Sequence, residues 1–382
     1  MLSALNRKNK QIIPAMLTRK ELMSLRSETF YCPECKAKVI LRAGTKVIPH
    51  FAHQKSSTCT ISHHGESVYH QQAKFLLYEW LRRQQFQVAL EKHISSINQR
   101  PDIFLTIRNT SIAIEFQSSS VPIHTIQQRN EGYTNAFIHP IWIVSAKKLH
   151  RLTSKTFRVS YFYQQLIFHH KKSAVPTLFY FCPNSKIFTI LSDLYFYNMN
   201  YVFANSFCRS LHCLHFFELF KTRRLSKRLL YECWFKKKRQ FRLSPRKVFG
   251  RELHFRRWLY NQKLHVERLP SYIYLPIHAQ YKMNVPPWHW QSKLIIELLH
   301  PLPINAIITI DCCCHFIQQY VSPQYKHEAK EVIMQYFMYL EKLHIIRKIS
   351  NHRWVKISAI QFHRYIEQSL KADDELLQYL LN

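Results

Sequence analysis

From residue 66 to residue 83 apolar side chains return at Tyr69, Ala73, Leu76, Leu77 and Trp80, the spacing of one face of an α-helix. Residues 86–94, 102–108 and 111–117 carry short β-rich runs instead and predict three strands. A second helical pattern over 124–136 leads into a strand at 141–145. Helix, three strands, helix, strand is the order of an α/β core, here set within residues 65–150. Residues 28–64 hold a concentration of Cys and His with few long apolar stretches, so 1–64 reads as a small metal-stapled module. Past residue 150 the pattern loosens. Residues 177–182 and 187–191 flank Pro183-Asn184-Ser185-Lys186 as a hairpin.

A chain of 382 residues has room for two or three domains. Residues 151–382 form the third region, basic, α+β and mainly helical. Near its end 327–343 predicts a helix, and 345–349 with 354–357 bracket Ser350-Asn351-His352-Arg353 as a tight hairpin. A helix followed by such a hairpin resembles a winged helix over about 288–360.

Charge narrows the partner. Lys and Arg number 55 against 23 Asp and Glu, a formal charge of +32, and an extended positive potential captures polyanions. Nucleic acid is the expected partner. Residues 221–270 alone hold 17 Lys and Arg against three Glu, and we expect Lys236, Lys237, Lys238, Arg239, Arg256 and Arg257 to meet phosphates. Trp234, Phe235, Phe241, Phe255 and Trp258 are interleaved with these charges, either to stack bases or to point into a core. The first 25 residues lack an apolar core of signal-peptide length, and no later segment approaches the roughly 20 apolar residues of a membrane span. A cytoplasmic protein is the expectation. Four glycines, none near another, leave no phosphate-cradling loop and no dinucleotide turn, which removes P-loop ATPases and Rossmann enzymes. Of the ten cysteines, Cys312, Cys313 and Cys314 lack metal-ligand spacing and are expected to pack as small apolar residues in or beside a strand.

The sharpest chemistry lies in Arg100-Pro101-Asp102-Ile103-Phe104-Leu105 and Ile112-Ala113-Ile114-Glu115-Phe116-Gln117. With Asn109-Thr110 as a two-residue loop, Arg108 pairs with Ser111 and Asp102 lies opposite Gln117. Glu115 then becomes a diagonal neighbour of Asp102 at about 7 Å between backbones, close enough for two carboxylates to grip one hard cation. Ile103, Leu105, Ile112, Ile114 and Phe116 fall on the other face, as a sheet buried on one side requires. Similarity of Pro101-Asp102 and Glu115-Phe116-Gln117 to the motif of the PD-(D/E)XK nucleases implies a third acid upstream, either Glu66, which we favour, or Glu91. Glu66, His70 and Lys74 stand four residues apart and share a helix face that lines one cleft. Arg129 and Tyr133 form a further pair one helical turn apart.

This arrangement resembles the PD-(D/E)XK nuclease superfamily, whose restriction-endonuclease-like core is a mixed sheet flanked by helices. There the two acids bind Mg²⁺ or Mn²⁺ and the last motif residue is usually Lys. Gln117 departs from that pattern, since an amide positions water but supplies no charge. Cys32-Pro33-Glu34-Cys35, then His50-Phe51-Ala52-His53, then Cys59 give five candidates for the four places around a tetrahedral Zn²⁺.

Together Cys32-Pro33-x-Cys35, His50-Phe51-Ala52-His53 with Cys59, Glu66-Ser67 with His70 and Lys74, and Glu115-x-Gln117 resemble the competence protein CoiA family, in which Gln is the usual variant at the last position. The resemblance implies a nuclease-like protein that promotes natural transformation by processing incoming DNA, or by handing over single strands for recombination. Two readings follow. In one, Asp102 and Glu115 bind Mg²⁺, Gln117 orients water, Lys74 stabilises developing charge, and the chain is a deoxyribonuclease. In the other it is a non-catalytic mediator that holds single-stranded DNA for a recombinase, which Gln117 favours.

Overall fold

A computed structural model describes residues 1–44, 47–53, 67–169, 175–244 and 247–382. Two of the expected site residues, Cys59 and Glu66, lie outside them.

The N-terminal segment builds a five-stranded sheet from short strands: β1 (Ala4–Asn6), β2 (Gln11–Ile12), β3 (Phe30–Tyr31), β4 (Lys38–Arg42) and β5 (His50–His53), ordered β2-β1-β3-β4-β5. Among its described residues the one α-helix, α1 (Arg19–Ser24), starts at a capping box in which Thr18 and Glu21 satisfy each other's backbone N–H. The core beneath is small, chiefly Phe30, Cys32, Val39 and Phe51. A core of that size gives a segment little stability of its own.

Helix α2 (Val68–Arg83) follows, with Ser67 accepting from the His70 N–H as its N-cap. Next come β6 (Gln87–Leu90), β7 (Ile103–Ile107), β8 (Thr110–Gln117), α3 (Ile123–Asn135) and β9 (Ile138–Ser145). The sheet does not stop at residue 150, where the sequence pattern had suggested a boundary. It continues through β10 (His150–Arg151), β11 (Thr156–Arg158), α4 (Tyr161–Gln164), β12 (Thr177–Cys182), β13 (Ile187–Asn198) and β14 (Tyr201–Ser210) into nine strands ordered β10-β11-β14-β13-β12-β9-β8-β7-β6. Strands β8, β9 and β12 are mutually parallel and the other neighbours antiparallel, a mixed sheet. Helix α2 covers one face through Ala73, Leu77 and Leu81, against Ile103, Leu105, Ile112, Ile114 and Phe116. Helix α3 covers part of the other, where Tyr133 packs on Phe104, Ala113 and Ile138.

The C-terminal region is mainly helical: α5 (Lys227–Arg242), α6 (Gly250–Asn261), α7 (Pro287–Lys293), β15 (Ile307–Thr309), α8 (Ile310–Ile317), α9 (Ala329–Lys342), β16 (Ile346–Ser350), β17 (Arg353–Lys356) and α10 (Ile366–Leu381). Cys312, Cys313 and Cys314 sit on α8 directly after β15, with Cys313 buried and Cys312 exposed. One large core joins these helices to Tyr197 and Phe203 of the nine-stranded sheet. Within it Asp373 on α10 receives Lys238 Nζ at 2.9 Å and Arg242 Nε at 2.7 Å, all three side chains nearly inaccessible to water. Burial pulls Lys238 down to about 8 although Asp373 opposes the shift. Removing the single anion from such a group strands two buried cations. Asp373→Ala is therefore expected to lower stability by about 3–5 kcal/mol, read as a fall in the urea midpoint, whereas Asp374→Ala on the exposed side of α10 should leave it nearly unchanged.

Candidate active site and metal centre

Strands β7 and β8 pair Ile103 with Ile114 and Ile107 with Thr110, so the turn is Arg108-Asn109, with Arg108 at φ 51°. The sequence reading placed the loop at Asn109-Thr110. The difference shifts each residue's partner by two residues, which keeps the faces, and carried one residue beyond the ladder it sets Asp102 opposite Glu115 rather than Gln117. Asp102 Oδ2 accepts the Phe116 N–H at 2.8 Å, which ties the end of β7 across to β8.

Glu115 is buried under α3. Its Oε1 accepts from Arg129 Nε at 3.1 Å, and also from Arg129 Nη2 and from the Tyr133 hydroxyl. Among the described residues no hydrogen bond reaches its Oε2. Burial pushes the Glu115 carboxyl up, with the Arg129 charge opposing. Burial together with the neighbouring Glu115 charge pushes the Tyr133 phenol far up, so it stays a donor. The helical pair Arg129 and Tyr133 thus converges on one oxygen of Glu115. Gln117 is half-buried, and its Nε2 donates to the Ser119 carbonyl.

From α2, His70 Nε2 meets Asp102 Oδ2 at 3.3 Å while its Nδ1 meets Ser118 Oγ at 3.3 Å. Lys74 Nζ lies 2.6 Å from Glu91 Oε1 and 3.6 Å from Asp102 Oδ1. Burial would raise the Asp102 carboxyl, but the charges of His70 and Lys74 outweigh it and hold Asp102 well below the usual carboxylate range. Lys74, expected to line one cleft with Glu66 and His70, has a side chain only 1% exposed. A lysine drawn in by two carboxylates has no reason to face water. Glu91, the alternative third acid, is buried beside Lys74. Its Oε2 accepts the Leu2 and Ser3 N–H groups at 2.9 and 3.2 Å, fastening the N-terminal segment to the sheet.

In the N-terminal segment the ligand atoms of Cys32, Cys35 and His53 lie within 4.8 Å of one another. Cys35 Sγ is 3.4 Å from His53 Nε2. His50 is not part of this group. Successive side chains of a strand point to opposite faces, so two histidines three apart on β5 diverge, and His50 Nδ1 meets the Ile48 carbonyl at 2.9 Å. Burial raises the unligated Cys32 thiol to about 11 and disfavours protonation of His53. Two thiol sulfurs and an imidazole nitrogen are soft donors that suit zinc.

Between the two cysteines, Glu34 makes a contact that the sequence reading missed. Arg100 Nε lies 2.9 Å from Glu34 Oε1, with the side chains 7% and 4% exposed, and the Arg100 carbonyl accepts Arg129 Nη2 at 3.0 Å. The available signal was two opposite charges, one inside the Cys-x-x-Cys and one just before Pro101-Asp102, in a chain poor in acids.

The basic stretch divides. Lys236, Arg239 and Arg257 are exposed and Lys237 is half-buried, but Lys238 points inward to Asp373, and Arg256 is held by Glu252 at 2.8 Å. Trp234, Phe235 and Phe255 are buried in the helical core, with Phe241 and Trp258 packed against it, so these aromatics serve packing.

Three family models match in succession: the competence protein CoiA N-terminal domain over residues 15–62, its nuclease-like domain over 66–224 and its C-terminal domain over 229–370. The chain belongs to the competence protein CoiA family. A competence protein CoiA of Bacillus subtilis (strain 168) is 26% identical over 351 residues, covering 89% of this chain and 93% of that protein. No solved structure matches. In this CoiA-family chain the paired acids and the α3 pair fall inside the nuclease-like match, which extends to residue 224 in keeping with the nine-stranded sheet, and the Cys/His trio falls inside the N-terminal match.

The divergence of the two histidines gives a direct test by metal analysis of protein purified without chelator. His53→Ala, or Cys32→Ser with Cys35→Ser, should lose about one equivalent of zinc, whereas His50→Ala should keep it.

Proposed function

We propose that this CoiA-family protein is a cytoplasmic, metal-dependent deoxyribonuclease that processes DNA taken up in natural transformation, single strands in particular, ahead of recombination. The observation that carries the reading is the facing pair Asp102 and Glu115 at one end of the nine-stranded sheet, inside a nuclease-like match and in a chain of net charge +32. No helix among the described residues is long and apolar enough to cross a membrane.

The donor set fits a hard cation. Asp102 lies close enough for its charge to act on the Glu115 carboxyl, and Glu115 keeps Oε2 clear because Arg129 and Tyr133 gather on Oε1. Asp102 and Glu115 would hold Mg²⁺ or Mn²⁺, which when bound supplies Lewis acidity toward phosphate and a more acidic water. Arg129 and Tyr133 orient Glu115, His70 orients Asp102, and the amide oxygen of Gln117, its nitrogen bound to Ser119, accepts a hydrogen bond from the attacking water. Glu66 is our preferred third acid. Exposed cations of the C-terminal region, Lys236, Arg239 and Arg257 among them, would hold the strand by its phosphates.

One observation favours the second reading, a non-catalytic mediator that holds single-stranded DNA for a recombinase. The charge that a motif lysine would bring is not replaced at the surface, because Lys74 is buried between Glu91 and Asp102.

Labelled single- and double-stranded DNA incubated with Mg²⁺ or Mn²⁺ separates the two. Cleavage by the parent that falls on the order of a thousandfold in Asp102→Ala and in Glu115→Ala, with DNA affinity within a few-fold, supports the nuclease. Binding without cleavage by the parent supports the mediator.

A further inference from the structure

The elements α7, β15, α8, α9, β16 and β17 follow one another as helix, strand, helix, helix, strand, strand, with sheet order β15-β17-β16 and antiparallel pairing throughout. That is the arrangement of a winged helix, with β16 and β17 as the wing. In the usual use of this arrangement the helix before the wing enters the major groove and its outer face reads bases.

Helix α9 has no such face to offer. One side, Val332, Ile333, Tyr336, Phe337 and Leu340, is the core. The opposite side is engaged by the segment 278–282 and by α5: Glu331 pairs with Lys282, Gln335 Oε1 accepts the Ala279 N–H at 2.9 Å, and the Tyr339 and Tyr231 hydroxyls meet at 3.2 Å. The exposed remainder is Lys330, Met338 and Lys342.

The wing is the reverse case. Arg347, Lys348, His352 and Arg353 are all exposed on it, with Lys330 beside them, its Nζ 2.7 Å from His352 Nε2. The chain carries no acid between Glu341 and Glu367, so nothing on the hairpin offsets these charges. Its one large aromatic side chain, Trp354, is fully buried, and the one exposed ring, the His352 imidazole, is engaged by Lys330, so the wing presents mainly cations and little surface on which a base could stack. Surfaces that bind single strands combine both features, whereas charge alone on a two-stranded ribbon suits the backbone of a duplex, whose major groove admits such a ribbon.

We propose that the β16–β17 wing, and not α9, is a second nucleic-acid contact of this protein, directed at the sugar–phosphate backbone of double-stranded DNA. It rests on the nucleic-acid reading above but not on hydrolysis. The contact is sequence-independent, since phosphates position without specifying.

The test measures affinity of the full chain for a 30-base-pair duplex and for a single strand of equal length, over a salt series and without divalent cations. Replacing Arg347, Lys348 and Arg353 together by Gln should weaken duplex binding roughly ten- to a hundredfold and flatten the logarithmic salt slope by about two to three, at some 0.9 per phosphate contact. Single-strand affinity should change no more than a few-fold. Lys342→Gln on α9 should leave both unchanged. The replaced groups are surface charges, and an unchanged thermal midpoint verifies the fold. Parental duplex affinity and slope in the triple variant overturn the proposal, as does an equal loss on single strands or a larger loss from Lys342→Gln. Because cleavage is not measured, an inactive nuclease leaves the outcome unaffected.

Discussion

A carboxylate taken out of water must find a cation or hydrogen-bond donors, and on neighbouring strands at the root of the β7–β8 hairpin two are buried, Glu91 and Glu115, with the largely covered Asp102 between them. Asp102, Glu91 and Glu115 are satisfied by Lys74 and His70 from one helix, by Arg129 and Tyr133 from another, and by two backbone N–H groups from the N-terminal segment. Each solution pins a different element. Helix α2 cannot slide without stranding Asp102, α3 cannot leave without exposing Glu115, and the N-terminal segment is held where Glu91 needs donors. The hydrophobic faces of the sheet set which side each helix covers, while these charges set the position along it.

Much of this was legible in the sequence, for reasons that can be named. The apolar spacing from Tyr69 to Trp80 became α2, and the alternating faces of β7 and β8 hold whichever adjacent dipeptide closes the turn, because both registers keep Asp102, Glu115 and Gln117 together. The exact pairing was not legible, since Arg108-Asn109 and Asn109-Thr110 are both polar and only the left-handed backbone at Arg108 distinguishes them. The parallel pairing of β12 with β9 was also out of reach, because local periodicity says nothing of partners 36 residues apart, as Phe179 and Ile143 are.

Other departures were written in the sequence but under a different rule. His50 and His53 have a good spacing for a knuckle and a poor one for a strand, where odd separations point apart. Lys238 stood in a basic run, yet it also continues the helical stripe of Tyr231, Trp234, Phe235 and Arg242, all buried. A charge on an apolar stripe needs a buried partner, and α10 brings Asp373 from more than a hundred residues away. In a chain so basic, the few acids are therefore informative, and most of the inward-pointing cations lead to one.

The Arg100 side chain is bound to Glu34 within the Cys-x-x-Cys, and its carbonyl is bound to Arg129, which holds Glu115. A free energy shared in this way is reciprocal. Whatever orders the cysteine knuckle favours the present arrangement of the paired acids, and whatever grips the acids returns the same stabilisation to the knuckle. Two segments that can be told apart along the chain are, at this seam, a single thermodynamic body, joined through one guanidinium and its own backbone oxygen.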